Sequence, residues 1–307
     1  MVRNATLDYA RLLAACGIVV FHTGAPGAAL GYAALPFFLI LIVVLAAPAA
    51  GREGLRSYAR GRARRLLLPW LIWSGIYGAL KLAELAVTGA PLASEFAPYM
   101  LLTGPALHLW FLPFAFAACL LVHPLIRLAA PEPGHRARVG MLSVALVVIG
   151  LAALALRQGH AFPAPLAQWL YALPPVCLGL AFALSRGGVG LMPAVLTSFV
   201  TLALTFGWTS GLAQVTLAAA ALILCLALPS PSSWLSEKSG NVAIGIYLAH
   251  PLVVSVLRRV TDIIPESLMM AGLGCLGAAA ISVTAAGIAM IIGTMRPQHT
   301  RVGNTMA

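Results

Sequence analysis

Eight stretches without a single Asp, Glu, Lys or Arg limit what this chain can become: 12–51, 66–80, 96–126, 139–156, 158–185, 187–236, 239–257 and 267–295. A helix rising about 1.5 Å per residue needs about 20 apolar residues to cross about 30 Å of hydrocarbon. The 40-residue run 12–51 contains Gly24-Ala25-Pro26-Gly27, a turn sequence, and reads as two spans. Run 187–236 breaks near Gly207-Trp208-Thr209-Ser210-Gly211 and also reads as two. The other six give one span each, the third helix being completed through Lys81 and Glu84. The expectation is therefore an all-α integral membrane protein of about ten transmembrane helices in a single bundle. Ten spans use about 200 residues, so 1–307 reads as one membrane domain with no separate soluble domain. Only 9% of residues are charged, against about a quarter in soluble domains. Cytosolic enzymes, disordered tails and secreted disulfide scaffolds are excluded.

The net charge of +11 invites a nucleic-acid partner, but the positions of the charges argue against one. With ten spans and the N-terminus inside, 15 of the 19 Lys and Arg fall on the cytoplasmic side. These include Arg3, Arg11, Arg52, five arginines between 56 and 65, Arg127, Arg136, Arg138, Arg186, Lys238, Arg296 and Arg301. Lys81, Arg157, Arg258 and Arg259 remain outside. That bias sets orientation, places both termini in the cytoplasm and leaves no nucleic-acid surface to explain. The five cysteines are scattered through different spans without metal-like spacing, so they read as packing residues and no metal site is expected. Leu13-Ala14-Ala15-Cys16 follows too short an apolar stretch for a lipoprotein signal, and Asn4-Ala5-Thr6 lies in a cytoplasmic tail.

Ionisable groups inside a span are costly and usually face a cavity or a partner. Arg11 and His22 are both on the first helix, 11 residues apart. That spacing makes three turns plus about 20°, so they leave one face about 16 Å apart along the axis. Arg11 sits at the cytoplasmic end and His22 toward the outer mouth. A neutral imidazole there can take a proton from a hydroxyl; the alternative is a headgroup anchor and a histidine bonded to a neighbouring helix. Arg62 and Arg65, in Arg60-Gly61-Arg62-Ala63-Arg64-Arg65, share a face if the third helix has begun there. They suit phosphate groups, or serve simply as a positive-inside signal. Trp110, in Leu107-His108-Leu109-Trp110-Phe111-Leu112, fits an interfacial belt or a substrate pocket. Tyr247 and His250 share a face at mid-membrane depth, and Pro251 frees the Tyr247 carbonyl from its helical bond. The pair either lines a cavity or bonds within itself.

In this order these segments resemble the acyltransferase-3 family of integral membrane acyltransferases. The likeness rests on Asp8-x-x-Arg11 followed by His22, Pro36-Phe37-Phe38, Arg62-x-x-Arg65-Leu66-x-x-Pro69, His108-x-Trp110-Phe111-Leu112 and Gly245-x-Tyr247-Leu248-x-His250-Pro251. It spans residues 3 to about 260. The family usually has Ser-Gly after the double Phe, where this chain continues Leu39-Ile40-Leu41-Ile42, so the acceptor pocket is expected to differ. The chain is also short and lacks the extracytoplasmic domain appended in some members, so steps needing that domain would require a separate partner.

The resemblance implies O-acyl transfer, commonly of acetyl, from cytoplasmic acyl-CoA to a hydroxyl of a cell-surface or lipid-linked carbohydrate. The donor is a substrate, and no tightly bound cofactor is expected. A bacterial inner membrane is the implied setting, with membrane lipid, acyl-CoA and a carbohydrate or glycolipid acceptor as partners. His22 then reads as the base or a transient acyl carrier. Arg11, Arg62 and Arg65 read as the CoA site, and Glu84, Trp110, Tyr247 and His250 as pocket residues. Tyr247 or His250 would donate to the oxyanion. Asp8, about 21 Å from His22 along the helix, is expected to pair with Arg11. Glu84 is the better candidate to orient His22, unless Lys81 neutralises it. The rival readings are a carrier or flippase for a lipid-linked glycan and a membrane scaffold or sensor. Residues 1–150 and 151–307 show no convincing internal repeat, which counts against a transporter.

Overall fold

The computed structural model describes residues 4–185 and 191–295, and almost all of the ordered backbone among them is helical. The long helices are α1 (Ala5–Thr23), α2 (Ala34–Arg52), α3 (Leu55–Thr88), α4 (Phe111–Leu128), α5 (His135–Gly159), α6 (Leu166–Leu184), α7 (Leu191–Thr205), α8 (Leu212–Ala227), α9 (Trp234–Val260) and α10 (Leu268–Met295). Eight of these regions are long and apolar enough to cross a membrane. The exceptions, α7 and α8, have 15 and 16 residues, about 22–24 Å of rise. Both derive from run 187–236. A turn at 206–211 and a break at 228–233 interrupt that run, and among the described residues each helix is shorter than a full span. Arg3, Arg186, Arg296 and Arg301 lie outside the described residues.

Apolarity on every face explains which helix is central. The α2 sequence Pro-Phe-Phe-Leu-Ile-Leu-Ile-Val-Val-Leu has no polar stripe to present, and such a helix belongs inside. It packs against α1, α4, α6 and α8, burying Leu39, Ile40 and Val43 completely. α6 is equally enclosed. α3 lies on the rim, with Leu68, Leu71, Ile72 and Leu80 exposed. Its 34 residues extend about 51 Å, well beyond a bilayer core. The arginines from 56 to 65 therefore sit on a helical stem rather than a loop, and Arg62 and Arg65 do share a helical segment.

α1 packs against α2, α9 and α10. It ends where the turn sequence predicts: Gly24 and Gly27 adopt φ +73° and +91°, a region that L side chains avoid. The chain then turns back so tightly that a β-carbon on Gly31 would overlap the Gly17 carbonyl. This close approach holds the His22 end of α1 against the start of α2. The cysteines are all free, and Cys16 on α1 and Cys275 on α10 pack against the same hydrophobic cluster, a proximity that their sequence separation concealed.

Candidate active site

Asn4, at the start of α1, accepts from the Thr6 and Ser230 amides and donates to the Cys225 carbonyl. The residue that looked like a glycosylation site is thus a helix cap tying α1 to the segment after α8. One turn on, Asp8 is buried and its Oδ1 lies 3.3 Å from Nη1 of Arg11, whose side chain is 34% exposed. This is the pairing expected from their i, i+3 spacing. Gly240 on α9 makes room for it: a β-carbon there would collide with the Asp8 carboxylate and come within 3.4 Å of Arg11 Nη1. Gly240→Ala is expected to push the pair apart and to destabilise the fold by about 1–3 kcal/mol. Thermal unfolding of purified protein would check this, and an unchanged melting temperature would refute it.

Asp8 and Arg11 open onto a cavity of about 1030 Å³, with Arg52 at the end of α2, Arg127 at the end of α4, and Asn241 near the start of α9. Val44, Phe182 and Met192 give it apolar walls. Starts of some helices and ends of others meet here, so one end of the bundle is assembled around this cavity. Eleven of the fifteen described Lys and Arg belong to that end. Arg62 and Arg65 do not line the cavity. The Arg62 guanidinium stacks 5.4 Å from the centre of the Tyr58 ring, the Tyr58 hydroxyl donates to the Cys119 carbonyl at 2.7 Å, and Arg65 is exposed. The structure thus separates the three expected phosphate ligands and puts Arg52 and Arg127 beside Arg11.

Toward the opposite end, three histidines from three elements converge. His22 is exposed near the end of α1, and its ring centre lies 5.0 Å from that of buried His250 on α9. His108, in the turn Leu107–Trp110 before α4, lies 5.5 Å from His250. Tyr77 of α3 packs edge-on against His108 at 5.2 Å, and Tyr247 at 5.7 Å. Tyr77 donates to the Leu248 carbonyl at 2.9 Å, while Tyr247 donates to the His108 carbonyl. Pro251 explains the orientation of His250. It cannot bond the Tyr247 carbonyl, so His250 Nδ1 does so at 2.8 Å and also reaches the Ile246 carbonyl at 3.1 Å. Both partners are acceptors, so Nδ1 carries the hydrogen and Nε2 the lone pair.

These bonds engage both residues that the sequence offered as oxyanion donors. Tyr247 has already committed its hydroxyl hydrogen, and neutral His250 has no hydrogen on Nε2, so neither is free to donate. Glu84 does not approach His22: it lies 3.6 Å from Arg259, both more than half exposed. Lys81 pairs instead with Glu95 at 2.8 Å. Among the described residues no carboxylate pairs with His22, and no group of three or more His, Cys, Asp or Glu is arranged to hold a metal ion. Trp110 is buried among Phe111 and Phe114. Tyr77 was invisible in the sequence, being one aromatic in an apolar run. His108 was visible only as part of a motif, and Arg52 and Arg127 looked like ordinary topological charge.

An acyltransferase-3 family model, described as an acyltransferase domain, matches residues 4–290. No curated protein and no solved structure matches the chain.

Proposed function

The chain belongs to this acyltransferase family, and from that premise we propose that it transfers an acyl group, acetyl in the simplest case, from acyl-CoA to a carbohydrate hydroxyl. The observation that carries the reading is the two-ended arrangement of α1. Arg11 faces an arginine-ringed cavity at one end, and His22 joins a cluster of imidazoles and phenols about 16 Å further along. The nucleotide phosphates suit the guanidinium groups. The apolar walls suit the pantetheine arm leading toward His22. The basic end is the cytoplasmic one by the positive-inside rule, with both termini there and α7 and α8 counted as short crossings. Acyl-CoA then enters from the cytoplasm, and a cell-surface or lipid-linked sugar reaches His22 from outside. His22 removes the hydroxyl proton as the oxygen attacks the thioester. A bacterial inner membrane fits this traffic.

The test supplies membranes containing the protein with labelled acetyl-CoA and membrane glycans, then measures base-labile label in the glycan fraction. Transfer above that of membranes lacking the protein is expected. A carrier would move glycan without consuming acyl-CoA, and that outcome would overturn the reading.

A further inference from the structure

An imidazole base needs a partner that fixes which nitrogen carries its hydrogen. The carboxylates that serve this purpose elsewhere are not paired with His22 here. His22 has no hydrogen bond of its own among the described residues, and its ring is exposed. The group beside it is His250, completely buried. The Nδ1 side of that ring is bound to its own helix, so Nε2 points away from the α9 backbone. Nε2 is buried and has no hydrogen-bond partner. It is an acceptor without a donor, and His22 is a donor without an acceptor. Two imidazoles joined by one N–H···N bond of about 2.9 Å have centres about 5 Å apart, which matches the observed 5.0 Å. Rotation of the His22 ring completes the bond without moving either helix. His108 is further from His250 and meets it edge-on, at 63°.

We propose that His250 is the positioning residue for His22: its Nε2 accepts the His22 N–H and leaves the other His22 nitrogen unprotonated toward the acceptor hydroxyl. This inference rests on the acyl-transfer reading above. In the reaction, that nitrogen takes the hydroxyl proton while the oxygen forms a bond to the thioester carbonyl carbon. The carbon–sulfur bond breaks, and the proton passes from His22 to the departing thiolate, giving free CoA thiol and the ester. His250 keeps its proton on Nδ1 throughout. Its lone pair offsets the charge that His22 carries transiently. The Tyr247 carbonyl, freed by Pro251, and the Ile246 carbonyl thereby set the tautomer of His250, which in turn sets that of His22.

Two amide substitutions separate this role from a structural one. In His250→Asn the amide nitrogen occupies the place of Nδ1 and keeps the bonds to the Ile246 and Tyr247 carbonyls, but nothing replaces Nε2. In His250→Gln the amide oxygen reaches the place of Nε2 as an acceptor, while the bonds to the carbonyls are lost. Acting through Nε2, His250→Asn lowers kcat about 10²-fold with KM for acetyl-CoA unchanged, and His250→Gln recovers most of that loss. A merely structural histidine gives the reverse order, in both rate and thermal stability, and that result overturns the proposal. Combined with His22→Ala, the Asn substitution is expected to cost nothing further; a full additional loss would also overturn it. If His250→Asn fails to fold, nitrogen NMR on wild-type protein labelled at histidine reads the His22–His250 bond directly, and its absence counts against the proposal. Lack of transfer by wild type would instead strike at the acyl-transfer reading itself.

Discussion

If His22 is the proposed base, His22→Ala is expected to lower acyl transfer by about 10²–10⁴-fold, the usual contribution of a positioned general base, while KM for acetyl-CoA stays within about twofold. The split follows from position. His22 is about 16 Å from Arg11 along α1 and does not line the cavity where the donor's phosphates would bind. Truncation is also structurally mild, because the ring is exposed and its one proposed bond is to His250 Nε2, which has no partner in the structure as it stands. It gives up only edge and tilted contacts with Phe21 and His250. Equal expression and unchanged elution in detergent would verify folding, with single-turnover transfer as the activity measurement. A variant that folds and transfers at the wild-type rate removes His22 from the chemistry. A loss confined to KM would make it a binding residue.

How much of this was legible in the sequence differs between fold and site. Helices declared themselves through uncharged runs, because a bilayer penalises unpaired charge far more consistently than water rewards any pattern. The Gly24–Gly27 break was legible for a similar reason: left-handed backbone requires glycine, and the composition showed it. The crossing count was less secure, because run length cannot show how many residues the Gly207–Gly211 turn and the prolines near 230 withdraw from α7 and α8. At the site, relations within one helix could be derived from helical geometry. Asp8 with Arg11 follows from i, i+3 spacing, and the freeing of the Tyr247 carbonyl by Pro251 was legible as well, although the bond that carbonyl takes from His250 was not. Relations between helices could not be derived. Arg62 looked like a phosphate ligand and Arg52 like topological charge, because nothing in the sequence states that Tyr58 holds one guanidinium while the other borders a cavity. The partner of Glu84 was hidden for the same reason, being Arg259, 175 residues away in the chain.

That distinction gives the second large effect. Arg52 and Arg127 border the cavity, and neither pairs with a carboxylate among the described residues. Arg127 spends one nitrogen on the Glu53 carbonyl at 3.1 Å, which anchors it and leaves the rest of its fork facing outward. A charge-assisted hydrogen bond contributes about 1.5–3 kcal/mol, and the lower end applies to such solvent-accessible groups. Arg52→Gln and Arg127→Gln are each expected to raise KM for acetyl-CoA about tenfold, and together about a hundredfold, with kcat nearly unchanged. Salt provides an independent check, since screening shortens to about 3 Å at 1 M. Raising ionic strength weakens donor binding to wild type and has much less effect on the double variant. Arg62→Gln, by contrast, removes a cation from the Tyr58 ring and costs stability rather than donor affinity. Were Arg62 and Arg65 to control KM while Arg52 and Arg127 did not, the nucleotide would have to bind along the α3 stem, and the cavity beside Arg11 would need another occupant.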